Sequence, residues 1–307
     1  MPIKVKNNLP VKQILEDENV FVMDESRAEH QDIRPVDIAI MNLMPLKEDT
    51  ELALLRTLSN TVLQVNVTLL SPESHDSTHV PESHIKTFYE SFREVKQRCF
   101  DGLILTGAPV EQMEYEEVDY WEEIVALLDW ADSHVTSMLT LCWGAQAALY
   151  HYYGIGKKNL PEKVFGVYPH RVIHRKTPLV RGFDDVFLAP HSRHTGIDEL
   201  ALRQRKDILI LAESAEAGTY LCMNKDGSRI FCLGHPEYDR FTLDAEYRRD
   251  KDKGLAIKKP VNYYPEEDVE QEPKLQWRGH ANALYSNWLN YYVYQNTPYE
   301  FNRIVWG

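Results

Sequence analysis

The sequence has 307 residues, of which 43% are hydrophobic and 26% are charged, as expected of a soluble globular protein with one sizeable core. Its formal net charge of -13 comes with no long basic cluster, which argues against nucleic-acid binding because such a field repels a polyphosphate backbone. The amino terminus lacks a signal-peptide pattern, and no apolar run reaches membrane-spanning length. The four cysteines form no CxxC pair, which favours free thiols in a cytoplasmic protein.

The first half of the chain alternates between strand and helix patterns. Residues 1–34 are charged and weakly periodic, and we expect them to form an N-terminal extension packed on a single α/β domain at 35–307. Apolar runs and helical spacings then predict strands at 36–41, 65–69, 102–105 and 135–141, and helices at 49–59, 85–96, 121–128 and 143–153. This alternation predicts a mostly parallel sheet with helices on both faces.

The second half is richer in strands and carries the C-terminal elaborations. The patterns predict strands at 208–211, 220–223 and 230–233, and helices at 243–251 and 277–288. Residues 254–275 are rich in Lys, Pro and Glu and are typical of a long loop or lid.

Cys142 is the candidate nucleophile, because it falls between a predicted strand and a predicted helix. A sharp strand-to-helix turn exposes such a side chain at the helix N-terminus, whose partial positive charge favours thiolate over thiol. The amide of Trp143 then points to where an oxyanion would form, and Gly144 permits close packing of helix and strand. The alternative is that Cys142 is a small buried hydrophobe. We expect the other three cysteines to be structural, since Cys222 and Cys232 lie in apolar strand patterns and Cys99 ends a predicted helix.

A base and an acid are available in Gly234-His235-Pro236-Glu237, which follows a predicted strand. A thiol catalyst needs an imidazole, and the imidazole needs an acceptor that fixes its tautomer, so His235 and Glu237 could supply both. The turn Thr106-Gly107-Ala108-Pro109 ends an earlier strand, and the amides of Gly107 and Ala108 could complete an oxyanion hole. Each segment alone is also compatible with an ordinary turn.

The remaining histidines do not indicate a metal site. His191-Ser192-Arg193-His194 has an HxxH spacing without an acidic partner in register, and we expect a surface loop there. Three further histidines fall in a polar stretch that we expect to be solvated: His75, His79 and His84. We therefore predict that the protein binds no metal.

Three segments occur in one chain order: TGAP at 106–109, LCWGAQ at 141–146 and GHPE at 234–237. Together they resemble the class I glutamine amidotransferase-like (flavodoxin-like) fold, although Thr140 and Trp143 depart from the G-x-C-x-G elbow of the amidotransferases. The stretches MPIKVKNNLPVKQILEDENVFVM, DIRPVDIAIMNLMPLKEDTE, EKVFGVY and PHSRHT look like the homoserine O-acyltransferase family of methionine biosynthesis. This second likeness runs nearly end to end.

The resemblance implies a role for each matching residue. Cys142 matches the acyl-thioester nucleophile, His235 the general base and Glu237 the third catalytic member. The positions that contact substrate match Lys163, Ser192 and Arg249. Homoserine is a zwitterion whose carboxylate a guanidinium can bind bidentately, although the sequence alone favours an exposed helix charge at position 249.

Glu111 is implicated in the choice of acyl donor. The resemblance implies glycine at this position in succinyl-using members and glutamate in acetyl-using members. A carboxylate here would repel the free carboxylate of a succinyl group in a poorly solvated pocket, so we predict acetyl-CoA as the donor. The alternative is that Glu111 points to solvent with the acidic run Glu114, Glu116 and Glu117.

The sequence therefore predicts a homoserine O-acetyltransferase that works by a ping-pong mechanism, with acetyl-CoA as co-substrate and no permanently bound cofactor. A homodimer is implied by the family alone. The alternatives are succinyl-CoA as the donor, a glutamine amidotransferase or related cysteine hydrolase, and a non-catalytic binding protein on the same fold. The presence of all three triad candidates argues against the last of these.

Overall fold

A computed structural model describes residues 3–6, 8–18, 22–24, 34–73 and 81–297 of the chain. The strands in the order of the sequence are β1 (Ile3–Val5), β2 (Val22–Asp24), β3 (Val36–Met41), β4 (Val65–Leu70), β5 (Tyr89–Glu90), β6 (Phe100–Leu105), β7 (Val135–Leu141), β8 (Lys157–Val172), β9 (Val186–Ile197), β10 (Ile208–Ser214), β11 (Gly218–Asn224) and β12 (Arg229–Cys232). The α-helices are α1 (Val11–Asp17), α2 (Lys47–Leu58), α3 (Glu82–Phe88), α4 (Phe92–Val95), α5 (Trp121–His134), α6 (Trp143–Tyr153), α7 (Glu199–Gln204), α8 (Thr242–Asp252) and α9 (Arg278–Asn287), and a π-helical segment (Trp288–Tyr294) continues α9. Short 3-10 turns lie at Tyr115–Glu117, Pro178–Val180 and Pro265–Glu267.

The strands form one sheet in the order β2-β1-β4-β3-β6-β7-β12-β11-β10-β8-β9, with β5 paired to β4. Pairing is parallel from β2 through to β12 and antiparallel from β12 to β9. Helices cover both faces of the parallel part, since α1, α2 and α9 pack into one apolar core and α5 and α6 into the other. The predicted α/β class is confirmed.

Alternation along the central strands explains why both faces are buried. In β3, Ile38 and Ile40 enter the first core, whereas Ala39 and Met41 enter the second. Side chains of successive strand residues point to opposite faces, so a strand that is apolar throughout must be covered twice. β6 is buried along its whole length for the same reason.

Two predictions for the secondary structure are wrong. A continuous helix over 85–96 is replaced by α3, β5 and α4, because Tyr89 pairs with Leu69 of β4 and Ser91 starts a new helix through a reciprocal capping box with Glu94. The sequence patterns also predict no strands at 157–172 and 186–197, where β8 and β9 form a long antiparallel hairpin.

The predicted N-terminal extension and the predicted loop at 254–275 are both attached to this sheet. β1 continues it by pairing with β4, and Leu15 of α1 is fully buried in the first core. At the other end, residues 254–275 form a loop that docks on β8, where the amide of Val261 donates to the Phe165 carbonyl at 2.9 Å. The division of the chain at residue 34, and a lid function for 254–275, stay predictions. Within the described ranges, none of the helices combines the length and the apolar character that a membrane span requires.

Parallel strands β6, β7 and β12 lie side by side and determine which turns meet. Leu105 is opposite Thr140, and Leu141 is opposite Cys232. The residues that follow these three strands therefore meet at one edge of the sheet. Helix α6 starts at this edge, and Gly144 in its first turn packs against the end of β6.

Gly144→Ala tests this close packing. The added Cβ would lie 2.5 Å from the carbonyl oxygen of Thr106 and 2.9 Å from that of Leu105, so α6 must shift. We expect the free energy of unfolding to fall by about 1–3 kcal/mol, as for other overpacked sites. Urea unfolding followed by circular dichroism measures this change.

Gly279→Ala is the matched control, because Gly279 is also helical and a Cβ there meets nothing within 4 Å. It should raise the unfolding free energy by up to about 1 kcal/mol. Equal effects of the two substitutions would contradict the packing argument.

Candidate active site

Cys142 connects β7 to α6 in a strained backbone conformation. Its φ of 47° and ψ of -114° lie in a region that non-glycine residues rarely adopt, and such strain commonly marks functional sites. The turn is held by a hydrogen bond from the Cys142 amide to the Cys232 carbonyl at 2.8 Å. The side chain is largely buried, with 6% exposure, but it reaches a cavity at the carboxyl edge of the sheet.

His235 and Glu237 follow β12 and lie beside this cysteine. The backbone amide of His235 donates to the Pro190 carbonyl at 2.9 Å. Nδ1 of the His235 ring lies 2.7 Å from Glu237 Oε1. The ring is stacked on Tyr238, with centroids 4.0 Å apart. Because Glu237 engages Nδ1, the other ring nitrogen is left to hydrogen-bond with the Cys142 thiol. The three side chains thus form a continuous series, which we call the triad.

The electrostatics of the triad favour proton transfer. Burial alone would lower the pKa of His235, but the Cys142 sulfur and the Glu237 carboxylate act in the opposite direction and raise it well above its ordinary value. An imidazole in this state takes a proton readily from a neighbouring thiol. The arrangement can therefore support nucleophilic catalysis by a thiolate.

The predicted oxyanion residues lie against the same sulfur. A Cβ added at Gly107 would be 3.8 Å from Cys142 Sγ and 3.5 Å from His235 Cε1, so the backbone of this turn covers both groups. The hydroxyl of Thr106 fixes the turn by donating to the Gly107 carbonyl at 3.0 Å. Ala108 lines the cavity. The Trp143 amide is in the first turn of α6, so it has no hydrogen-bond acceptor within the helix. The indole ring of Trp143 packs in the second apolar core.

Glu111 points into the cavity and does not extend into solvent with the acidic run. Its Oε1 accepts a hydrogen bond from the His194 amide at 2.8 Å, and its Oε2 accepts from the Thr195 amide at 3.2 Å and hydroxyl at 3.0 Å. Thr195 is also 3.0 Å from Gln146 on α6. The Glu111 carboxylate is thereby held at a fixed position against strand β9.

Lys163, Ser192 and Arg249 come together from β8, β9 and α8, and all line the cavity that contains Cys142. Each contacts a carboxylate of α8. Lys163 forms an ion pair with Glu246, the Ser192 hydroxyl donates to Glu246 at 2.7 Å, and Arg249 lies 2.7 Å from Asp250. Arg249 is half-exposed, but it is paired and faces the cavity, unlike an ordinary solvated helix charge.

The cavity that contains these groups has a volume of about 420 Å³. Its wall at Met44, Pro45, Pro109 and Val110 also borders a second cavity of about 760 Å³. Space is thus available on both sides of the turn that follows β6.

Two expectations about histidines are wrong. His191-Ser192-Arg193-His194 forms part of strand β9 instead of a surface loop, and His191 is fully buried. His84 is also buried and contacts Glu51 at 2.9 Å, because α3 packs it against α2. His75 and His79 lie outside the described residues. Within the described part of the chain, no group of His, Cys, Asp or Glu is arranged to hold a metal ion.

Sequence reasoning missed three residues around the site. Glu246 reads as a solvated helix charge, and Arg193 lies among polar residues, yet both are buried or nearly so. Arg193 donates to the carbonyls of Thr195 and Ala217, which ties β9 to the turn before β11. His170 lies behind the site, with Nε2 2.9 Å from that of His191. No local periodicity signals such contacts.

The sheet order and the helices around it define the class I glutamine amidotransferase-like α/β fold. A glutamine amidotransferase from Thermotoga maritima has the same fold, with a TM-score of 0.53 and 13% identity over 85% of this chain and 98% of that chain. A glutamine amido transferase from Methylobacillus flagellatus gives a TM-score of 0.52 at 12% identity, covering 84% of this chain and 94% of that chain. At such low identity the likeness shows the fold alone.

Within this class, the chain belongs to the homoserine O-succinyltransferase family, whose family model matches residues 2–299. Similar relatives are named homoserine O-acetyltransferase. The protein from Agathobacter rectalis is 62% identical over 100% of both chains, and that from Lachnoclostridium phytofermentans is 62% identical over 98% of this chain and 100% of its own. The predicted family is confirmed.

The buried pair of imidazoles predicts sensitivity to acid. Burial lowers the pKa of His170 from 6.5 to about 3, and that of His191 also falls well below its ordinary value. Between pH 6.5 and about pH 3, His170 binds a proton in the unfolded chain but not in the folded chain. The contribution of the neutral His170 to the free energy of unfolding is therefore fully present above about pH 6.5, and it is lost as the pH falls toward 3.

His170→Gln removes one of these groups while keeping a hydrogen-bonding side chain beside His191. Between pH 7 and pH 5 the variant should lose about 2 kcal/mol less unfolding free energy than the wild type. Urea unfolding at the two pH values measures the difference. His174→Gln, at an exposed position, should retain the wild-type pH dependence, and an identical dependence in His170→Gln would contradict the assignment.

Proposed function

We propose that this protein is a homoserine O-acetyltransferase, which transfers an acetyl group from acetyl-CoA to the hydroxyl of L-homoserine through a thioester on Cys142. Membership of the family supports this proposal, as do the names of relatives that are 62% identical over essentially their full length. The observation that carries it is the triad, a buried thiol, imidazole and carboxylate in series beside a cavity with charged walls.

In the first half-reaction the Cys142 thiolate attacks the carbonyl carbon of acetyl-CoA. The new carbon–sulfur bond forms while the oxyanion is stabilised by the amides of Trp143, Gly107 and Ala108. Collapse of the intermediate breaks the bond to the CoA sulfur, and His235 donates its proton to that leaving group. The products are acetyl-Cys142 and free CoA.

In the second half-reaction the hydroxyl of homoserine attacks the thioester. His235 accepts the hydroxyl proton as the carbon–oxygen bond forms, and the Cys142 thiolate leaves. Glu237 holds the Nδ1–H side of the ring, which directs the other nitrogen toward the reacting oxygen. Lys163, Ser192 and Arg249 bind the substrate beside these groups.

The anchored carboxylate of Glu111 supports acetyl-CoA as the donor. Three hydrogen bonds from β9 hold Glu111 in the cavity, so a donor that carries its own carboxylate would meet a fixed negative charge. An acetyl group has no such carboxylate and needs less volume. The names of the relatives agree with this choice.

Further parts of the proposal concern the setting of the enzyme. We propose a cytoplasmic location, because a catalytic free thiol persists in a reducing compartment. We also propose that it needs no permanently bound cofactor, since the triad supplies the nucleophile and the proton transfers. We further propose that the protein is a homodimer, because the family resemblance implies that state.

Cys142→Ala tests the covalent step. Wild-type protein mixed with acetyl-CoA in the absence of homoserine should gain the mass of one acetyl group, and Cys142→Ala should gain none. Turnover should fall by roughly 10⁴-fold or more, because no thioester can form without this sulfur. Intact-protein mass spectrometry measures the adduct.

The matched control is Cys99→Ala, which removes the exposed thiol and should keep both the adduct and turnover. An acetyl group trapped on another residue of the wild type would contradict the assignment. Ammonia release from glutamine without acyl transfer would favour the cysteine-hydrolase alternative.

Glu111→Gly tests the donor pocket. Loss of charge and volume should raise the ratio of kcat/KM for succinyl-CoA to that for acetyl-CoA by about 10-fold or more. Glu111→Gln separates the two causes, because it removes the charge and keeps the size. An unchanged ratio in both variants would contradict the role of this side chain.

A further inference from the structure

Four consecutive residues after β12 form the turn His235-Pro236-Glu237-Tyr238, which supplies two members of the triad. The amide of Tyr238 donates to the His235 carbonyl at 3.2 Å and closes the turn, and Pro236 occupies its second position, where a fixed φ is favoured. The first and last side chains of the turn therefore lie near each other. The imidazole of His235 and the phenol ring of Tyr238 are stacked, with centroids 4.0 Å apart and an angle of 15° between the ring planes.

The Tyr238 ring is itself held in place. The indole nitrogen of Trp277 donates to the Tyr238 carbonyl at 2.8 Å, and the Trp277 side chain is buried. The Tyr238 ring packs against a small apolar core that contains Leu243, Tyr263 and Trp277. Burial and nearby carboxylates raise the pKa of Tyr238 well above its ordinary value, so the phenol is uncharged at neutral pH. A fixed, neutral aromatic ring thus lies under one face of the His235 imidazole.

The hydrogen bonds of the imidazole leave the tilt of its plane to be fixed by other contacts. Nδ1 lies 2.7 Å from Glu237, and a ring with one such bond can still rotate about that contact. The second hydrogen bond, to the Cys142 thiol, is lost when the sulfur is acylated. The stack on Tyr238 does not depend on the state of the sulfur. It therefore opposes rotation of the imidazole in both half-reactions, and it shields one face of the ring because Tyr238 also lines the catalytic cavity.

The stack also affects the charge of the imidazole. His235 holds a proton in each half-reaction before passing it on, so its imidazolium form is part of the proposed cycle. The face of an aromatic ring carries partial negative charge and attracts a cation that lies over it. The other titratable groups that face His235 are Cys142 from the start of α6, Glu237 from the same turn and His191 from β9. Burial lowers the pKa of His191 well below its ordinary value, so His191 adds no charge near neutral pH.

We propose that Tyr238 is a positioning residue, whose ring keeps the His235 imidazole aimed at the reacting atoms and stabilises its protonated form. The role belongs to the aromatic face of Tyr238 and not to its hydroxyl. This inference rests on the proposed thioester mechanism, and it adds a residue that acts through the general base.

Tyr238→Leu tests this role, since it removes the aromatic face and keeps an apolar side chain. The measurement is the rate of acetylation of Cys142 by acetyl-CoA without homoserine, followed by rapid quenching and intact-protein mass spectrometry across the neutral and alkaline pH range. We expect the rate to fall by about 10- to 100-fold, because the imidazole is no longer held in line with the sulfur. The pH at which the rate declines on the alkaline side should drop by about 0.5–1 unit, because the imidazolium then loses its proton more readily.

Tyr238→Phe keeps the ring and removes the hydroxyl. Its rate should stay within about threefold of the wild type, and its alkaline limit should not move. Tyr247→Leu is the matched control, because Tyr247 packs against the same apolar core from α8, beside Tyr264. It should preserve both the rate and the alkaline limit.

A lower rate in Tyr238→Leu with an unchanged alkaline limit would indicate a purely structural role and overturn the inference. An equal shift in Tyr238→Phe would assign the effect to the hydroxyl and overturn it as well. If Tyr238→Leu does not fold, Tyr238→Met retains more of the volume, and the same alkaline shift is required of it. If the wild type forms no acetyl adduct, the proposed function fails and this inference fails with it. If the wild type forms the adduct and the alkaline limit is the same in all variants, only the role of Tyr238 fails.

Discussion

The register of three parallel strands determines where Cys142, His235 and the turn at Gly107 lie. β7 is paired with β6 on one side and with β12 on the other, so the chain leaves all three strands at the same edge. The turn at Gly107, the sulfur of Cys142 and the imidazole of His235 are brought together by this alignment. A slip of one residue would turn each side chain to the opposite face of the sheet, and neither the hydrogen bond to Cys232 nor the contact of Gly144 with β6 would survive.

This alignment also maintains the strain at Cys142. A non-glycine residue with positive φ costs of order 1–3 kcal/mol and persists only where the surroundings over-determine it. Here the amide of Cys142 is bonded to β12, its carbonyl accepts from the amides of Ala145 and Gln146, and α6 is buried against β6. The side chain is consequently held clear of its own backbone, facing the imidazole. The same contacts that stabilise the fold thus fix the position of the proposed nucleophile.

The sequence permitted accurate prediction where the signal is local. β3, β7 and α6 were predicted at their observed bounds, because apolar runs and glycine or polar breaks delimit them. The helix over 85–96 failed because pairing of Tyr89 with β4 overrides helical spacing, although Ser91 and Glu94 form a capping signature that marks a new helix start. The β8–β9 hairpin contains prolines and charged residues and lacks simple alternation. Its strands form because distant segments cover them, and Glu246 is recognisable only once α8 packs across that hairpin.

Strand β9 joins the two ends of the proposed active site. Within four consecutive residues, Ser192 contacts Glu246 at the acceptor end, whereas His194 and Thr195 hold Glu111 at the donor end. Arg193, which lies between Ser192 and His194 in the strand, has a buried guanidinium. Burial lowers the pKa of Arg193, whereas Cys142 and Glu111 act to raise it. Negative charge on either of those groups would be offset in part by this cation. In the proposed function, donor selection and acceptor binding therefore depend on the same strand, and a substitution that moves β9 would affect both together.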